Sequence, residues 1–151
     1  MEAKKIRPED LIPHRAPMLL IDEIIEIDAS AKTIMAKKTI RKDEFFLQGH
    51  YPGFPLVPGV ITCESIIQSG AALLSYVRKQ GATFDSSAVP VIARIGNAKF
   101  MDMIRPGDEV ILKSEIVEQI GQAFYLKGSA SVGGKVKAKV DFVCMAKSVE
   151  S

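Results

Sequence analysis

Two residues fourteen positions apart have the types that acid–base chemistry needs: His50, ahead of a predicted helix, and Glu64, upon it. A histidine near its ordinary pKa suits proton abstraction, and a protonated carboxylic acid suits protonation of a leaving hydroxyl. Glu64 falls on the helical stripe of Val60, Ile67, Ala71 and Leu74, so the spacing aims a carboxylate into an apolar interior. An unpaired buried charge is costly, so such a group either finds partners or keeps its proton through a raised pKa. A glutamate that only hydrogen-bonds to a loop or across a subunit contact fits the helix, taken alone, equally well. A lone loop histidine is likewise usually a surface residue or a satisfied hydrogen-bonder. The pair is more informative, because the loop holding His50 leads straight into the helix bearing the acid. Gly59 adds a third element: near the amino end of the helix its N–H lacks an intrahelical partner and lies at the positive end of the helix dipole. Elimination of water from a 3-hydroxyacyl thioester needs a base at C2, an acid at the C3 hydroxyl and a receiver for charge on the thioester carbonyl. These three residues match those three roles.

The elements that must position them can be read in outline. Gly49 to Gly59 holds Pro52, Pro55 and Pro58 with three glycines, a composition that excludes a regular strand or helix. It predicts an ordered, irregular loop with left-handed or close-approach glycines, of the kind that more often holds a site than spans a gap. A helix is expected from about Pro58 to Lys79, with proline in its first turn and Gly81 just past its end. Ile61, Leu73 and Val77 widen its apolar face so far that it must be largely enclosed.

Before the loop, Pro8 to Arg15 reads as a short helical turn. Met18 to Ile21 and Ile24 to Ile27 carry strand-like runs, and Lys32 to Ile40 pairs with them as a hairpin across Asp28-Ala29-Ser30-Ala31. After a loop from Ala82 to Ala88, strands are expected over Pro90 to Phe100, Glu109 to Ile120, Ala123 to Val132 and Val136 to Ser148. They are separated by Arg105-Pro106-Gly107-Asp108, Gly121-Gln122 and Gly133-Gly134. The expected fold is α+β, an antiparallel sheet of about six strands wrapped around one long central helix, in a single domain over residues 1–151.

The bulk properties narrow the function classes. Twenty Lys and Arg against eighteen Asp and Glu give a net charge of +2, scattered along the chain, with no basic stripe for nucleic acid. Cys63 and Cys144 sit far apart in apolar runs, which suits buried reduced thiols and a cytoplasmic setting. No signal-peptide core is visible and no stretch reads as a membrane span, so membrane insertion is not expected. Two histidines and dispersed cysteines offer no metal-ligand spacing. Cys63 adjoins Glu64, yet successive helix positions point about 100° apart and no histidine is placed to activate the thiol, so core packing is the better reading.

The run Gly49-His50-Tyr51-Pro52-Gly53-Phe54-Pro55-Leu56-Val57-Pro58-Gly59-Val60, continuing to Glu64 and Gln68, resembles the 3-hydroxyacyl-[acyl-carrier-protein] dehydratases of type II fatty acid synthesis. Ile12-Pro13-His14-Arg15, Pro17 to Leu20 and Asp22 look like that family's opening segment, and Arg105-Pro106-Gly107-Asp108 like its later turn. The resemblance implies a hot-dog fold and dehydration of (3R)-3-hydroxyacyl thioesters to trans-2-enoyl thioesters. It implies His50 as base, Glu64 as acid and Gly59 as donor to the carbonyl oxygen, with neither metal nor cofactor. It also implies acyl carrier protein with a phosphopantetheine-linked substrate as partner. The site would form across a homodimer, with dimers often assembling into hexamers. Glutamate rather than aspartate at position 64 separates the chain from the dehydratase-isomerase branch. Tyr51 in place of the usual phenylalanine, Val57 in place of a frequent methionine, and Cys63-Glu64-Ser65-Ile66 depart from the family pattern where side chains would shape the acyl tunnel.

Two rivals remain. A hot-dog thioesterase would direct water at the same carbonyl, and a noncatalytic acyl-binding subunit would keep the fold without turnover. The His-loop-Glu arrangement argues against the first, and retention of both His50 and Glu64 against the second. His14 and Arg15 could contact a carrier protein, but a structural role at the start of the first strand is the better reading.

Overall fold

The computed structural model describes residues 5–80 and 88–148. Strands β1 (Glu23–Asp28) and β2 (Thr33–Thr39) form the expected hairpin. Its turn is closed by the Asp28 carboxylate, which accepts from the N–H groups of Ser30 at 2.9 Å and Ala31 at 3.0 Å. Helix α1 (Gly59–Gln80) follows, and then β3 (Ala88–Phe100), β4 (Glu109–Ile120), β5 (Ala123–Val132) and β6 (Lys135–Ser148). The six strands make one antiparallel sheet in the order β1-β2-β4-β5-β6-β3. Gly107, Gly121, Gly133 and Gly134 all take positive φ, which is why their turns bracket the last strands where the pattern put them. Apart from Ala88, the expected loop from Ala82 lies outside the described residues.

The sheet curls around α1. From Ile66 to Leu74 every helix residue is buried, packed against β4, β5 and β6. Close approach is built in by two glycines: a Cβ on Gly70 would meet the Phe142 ring at 2.5 Å, and one on Gly128 would press into Ile66 and the Lys113 carbonyl. Between them Ser69 and Ser114 share a buried hydrogen bond of 2.8 Å, and Ser114 also donates to the Ile66 carbonyl at 3.2 Å. These groups fix the helix against β4 in both depth and register.

Three expectations are corrected. Met18 to Ile21 is not strand: the Gln68 side chain on α1 takes the hydrogen-bonding places a neighbouring strand would fill, donating to the Met18 carbonyl at 2.8 Å and accepting from the Leu20 N–H at 2.9 Å. The run is apolar because Leu20 and Ile21 are core residues, each 1% exposed. Second, α1 is, at 22 residues, long and apolar enough to cross a membrane by length and composition, although the chain was expected to have no such stretch. Its apolar surface is instead taken up by the sheet. Third, the stripe carrying Glu64 is not buried along its whole length. Ile67, Ala71 and Leu74 are, but Val60 is 75% exposed and Glu64 sits at the boundary.

Candidate active site

His50 lies in the proline-rich loop and is half-buried. The loop is held from both sides. Ahead of it, the Glu44 carboxylate is buried and accepts from Lys38 of β2 at 2.7 Å and from the Arg41 N–H at 3.1 Å. Beyond it, the Val57 N–H donates to the Ile104 carbonyl at 2.8 Å, and the Arg105 guanidinium lies 5.3 Å over the Phe54 ring. Within it, Gly49 and Gly53 take positive φ as expected, and so does Tyr51, whose ring meets the imidazole edge-on at 4.7 Å. The decisive contact is between His50 Nδ1 and the Leu56 carbonyl, at 3.2 Å. A carbonyl only accepts, so Nδ1 carries a hydrogen, and in the neutral ring the lone pair is on Nε2. In that form the ring can accept a proton at Nε2.

Glu64 sits on the second turn of α1 with its side chain 31% exposed. It has a partner: Gln68, one turn on, donates from Nε2 to Oε1 at 3.1 Å. Gln68 is itself fixed by Met18 and Leu20, so the opening segment, the glutamine and the carboxylate form one unit. That unit brings in a residue the sequence reading set aside, His14, whose Nε2 stands 3.8 Å from Glu64 Oε1. Arg15 does act structurally, donating to the carbonyls of Ile12 at 2.9 Å and His14 at 2.7 Å. The Glu64–Gln68 pairing was legible in the i, i+4 spacing. The contact with His14 spans fifty residues and leaves no local signal.

Gly59 is the first residue of α1. The Pro58 carbonyl accepts from Ile61 at 2.9 Å and Thr62 at 3.2 Å, so the first intrahelical bonds begin beyond Gly59 and leave its N–H without a helical acceptor. A Cβ here would meet the Phe100 ring at 3.0 Å, so glycine lets strand β3 close over the helix start. Among the described residues no hydrogen bond or ion pair joins His50 to Glu64 within the chain. Cys63 points into the core, and burial pushes its thiol pKa up, the reverse of what a nucleophile needs.

The curled sheet around one long helix, with the His50 loop feeding the helix that carries Glu64, defines a hot-dog fold. Solved structures agree on the fold. A dehydratase heterocomplex, ApeI:P from Xenorhabdus doucetiae, superposes with a TM-score of 0.80 at 18% identity, over 95% of this chain and 93% of that one. A thioesterase-like protein from Ralstonia eutropha superposes with a TM-score of 0.64 at 19% identity, over 81% and 82%. Sequence separates the two kinds. The FabA-like domain family matches residues 12–141. The 3-hydroxyacyl-[acyl-carrier-protein] dehydratase FabZ of Xylella fastidiosa is 36% identical over 92% of this chain and 86% of its own length. That of Hydrogenobaculum sp. is 36% identical over 93% of both chains, and that of Clostridium acetobutylicum 39% identical over 89% and 92%. The chain belongs to the FabA-like family and, within it, to the FabZ group of 3-hydroxyacyl-[acyl-carrier-protein] dehydratases.

Proposed function

We infer that this chain dehydrates (3R)-3-hydroxyacyl thioesters carried on acyl carrier protein to trans-2-enoyl thioesters in fatty acid or related lipid biosynthesis. The observation that carries the reading is the His50–Leu56 contact, which leaves Nε2 as the free base in a chain of the FabZ group. In the reaction His50 Nε2 takes the C2 proton, and the electrons of that C–H bond become the C2–C3 double bond. The C3–O bond breaks, its electron pair stays on oxygen, and Glu64 supplies the proton that makes water. The Gly59 N–H, at the positive end of α1, receives the thioester carbonyl oxygen as it gains charge.

The pair is read as meeting across a homodimer. Support comes from the open edge of β3, which pairs only with β6 and exposes Ile92 and Ile95, and from Val60 beside Glu64, an apolar side chain left in solvent. The whole of residues 1–151 is read as one domain. Two buried free thiols suit a cytoplasmic setting.

The test follows ultraviolet absorbance of a 2-enoyl thioester on carrier protein while free thiol is assayed in parallel. The reading predicts reversible loss of enoyl absorbance without thiol release, lowered at least about 100-fold by His50→Ala and by Glu64→Ala. Thiol release would make the chain a thioesterase. Silence at every chain length would make it an acyl-binding subunit.

A further inference from the structure

We propose that His14 is a positioning residue that, together with Gln68, fixes which oxygen of Glu64 carries the proton. The proposal rests on the dehydratase reading above. The geometry behind it is local to one chain. Gln68 docks the opening segment on α1 and Arg15 ties that segment together through the Ile12 and His14 carbonyls, which places His14 Nε2 3.8 Å from Glu64 Oε1, the oxygen that already accepts from Gln68 at 3.1 Å. His14 is 30% exposed as a side chain, yet its Nδ1 is buried and has no hydrogen-bond partner.

The tautomer is set at the other nitrogen, because Nδ1 finds neither a donor nor an acceptor while Nε2 faces a carboxyl oxygen. The neutral ring therefore holds its hydrogen on Nε2, so Oε1 accepts from Gln68 at 3.1 Å and is faced by the His14 N–H at the longer distance of 3.8 Å. A carboxylic acid in that setting cannot carry its hydrogen on Oε1 without pointing it at the Gln68 donor and the facing His14 N–H, so the hydrogen sits on Oε2. Oε2 accepts from no described side chain and is the atom left to meet a substrate hydroxyl. After the proton leaves, the Gln68 donor and the facing His14 N–H stabilise the new charge on Oε1. His14 thus acts through Glu64 and need not touch substrate.

The two histidines of the chain are then expected in opposite tautomers, His50 with its hydrogen on Nδ1 and His14 on Nε2. A long-range 1H–15N spectrum of labelled protein reads both rings, and His14→Gln assigns them by removing one set. An Nδ1–H signal for His14 overturns the proposal. In the enoyl hydration assay His14→Phe, which keeps a ring but no donor, should lower kcat about 10-fold with KM changed less than about twofold. His14→Gln, whose amide nitrogen can stand where Nε2 stands, should recover most of the loss. Equal activity of the Phe and wild-type enzymes overturns the role of His14 alone, as does a change confined to KM. A wild type that hydrates no enoyl thioester overturns the dehydratase reading, and the proton role with it.

Discussion

The middle of α1 and its amino-terminal end are built to different rules. From Ile66 to Leu74 the helix is sealed on every side, with glycines and a serine pair setting its distance from the sheet. From Gly59 to Glu64 the same helix leaves Val60 in solvent and places a carboxylate at the boundary, its geometry held by a glutamine that in turn grips a distant segment. Packing explains every residue of the first stretch, and in the second it explains Thr62 and Cys63 but not Val60 or Glu64. Where a helix stops obeying packing, its residues answer to something else, on the proposed reading a proton donor at Glu64 and a helix start at Gly59 that receives an oxyanion.

That contrast can be broken by substitution. The largest effect belongs to the amino-terminal end: Glu64→Gln should lower turnover by a factor of about 100 or more while urea unfolding stays within about 0.5 kcal/mol of wild type. A large loss of stability would mean that Glu64 is a structural group after all. In the sealed middle the effects reverse. Gly128→Ala should cost about 1–3 kcal/mol of stability in urea denaturation, because one of its neighbours is the Lys113 backbone carbonyl, which cannot swing away. The folded fraction should keep its turnover.

A smaller effect sharpens the picture of the core beneath. Burial pushes the Cys144 thiol up to about 11 from an ordinary 9.0. The unfolded chain therefore releases that proton first as pH rises. The stability tied to the buried thiol is fully present below about 9 and is lost as pH rises through about 11. Equilibrium unfolding between these pH values should show the decline, and Cys144→Ala should flatten it. Native protein near neutrality should leave Cys144 unreactive toward a disulfide reagent.

The parts of the fold that were legible in the sequence are those fixed locally. β4 and β5 run as expected because Gly107, Gly121, Gly133 and Gly134 supply the left-handed turns on either side of them. His50, Gly59 and Glu64 stood out because one short stretch of chain holds all three. The rest depends on contacts far apart in sequence. Met18 to Ile21 looks like a strand until Gln68 takes its hydrogen bonds from across the chain. The helical stripe located Glu64 on a face, but a stripe cannot say where the sheet covering that face ends, so a half-exposed carboxylate was taken for a buried one. His14 was passed over for the same reason: only the docking of residues 12–20 on α1 brings it to the acid.

The central claim is that His50 and Glu64 act as one acid–base pair, and on the dimer reading each pair draws on two chains. The most direct test refolds His50→Ala and Glu64→Ala chains together in equal amounts and measures hydration of an enoyl thioester. Half of the dimers formed at random are mixed, and each mixed dimer has one intact His–Glu pair. Activity should therefore return to about a quarter of wild type from two preparations that are each nearly inactive. No recovery, with mixed dimers shown to have formed, would contradict the shared site.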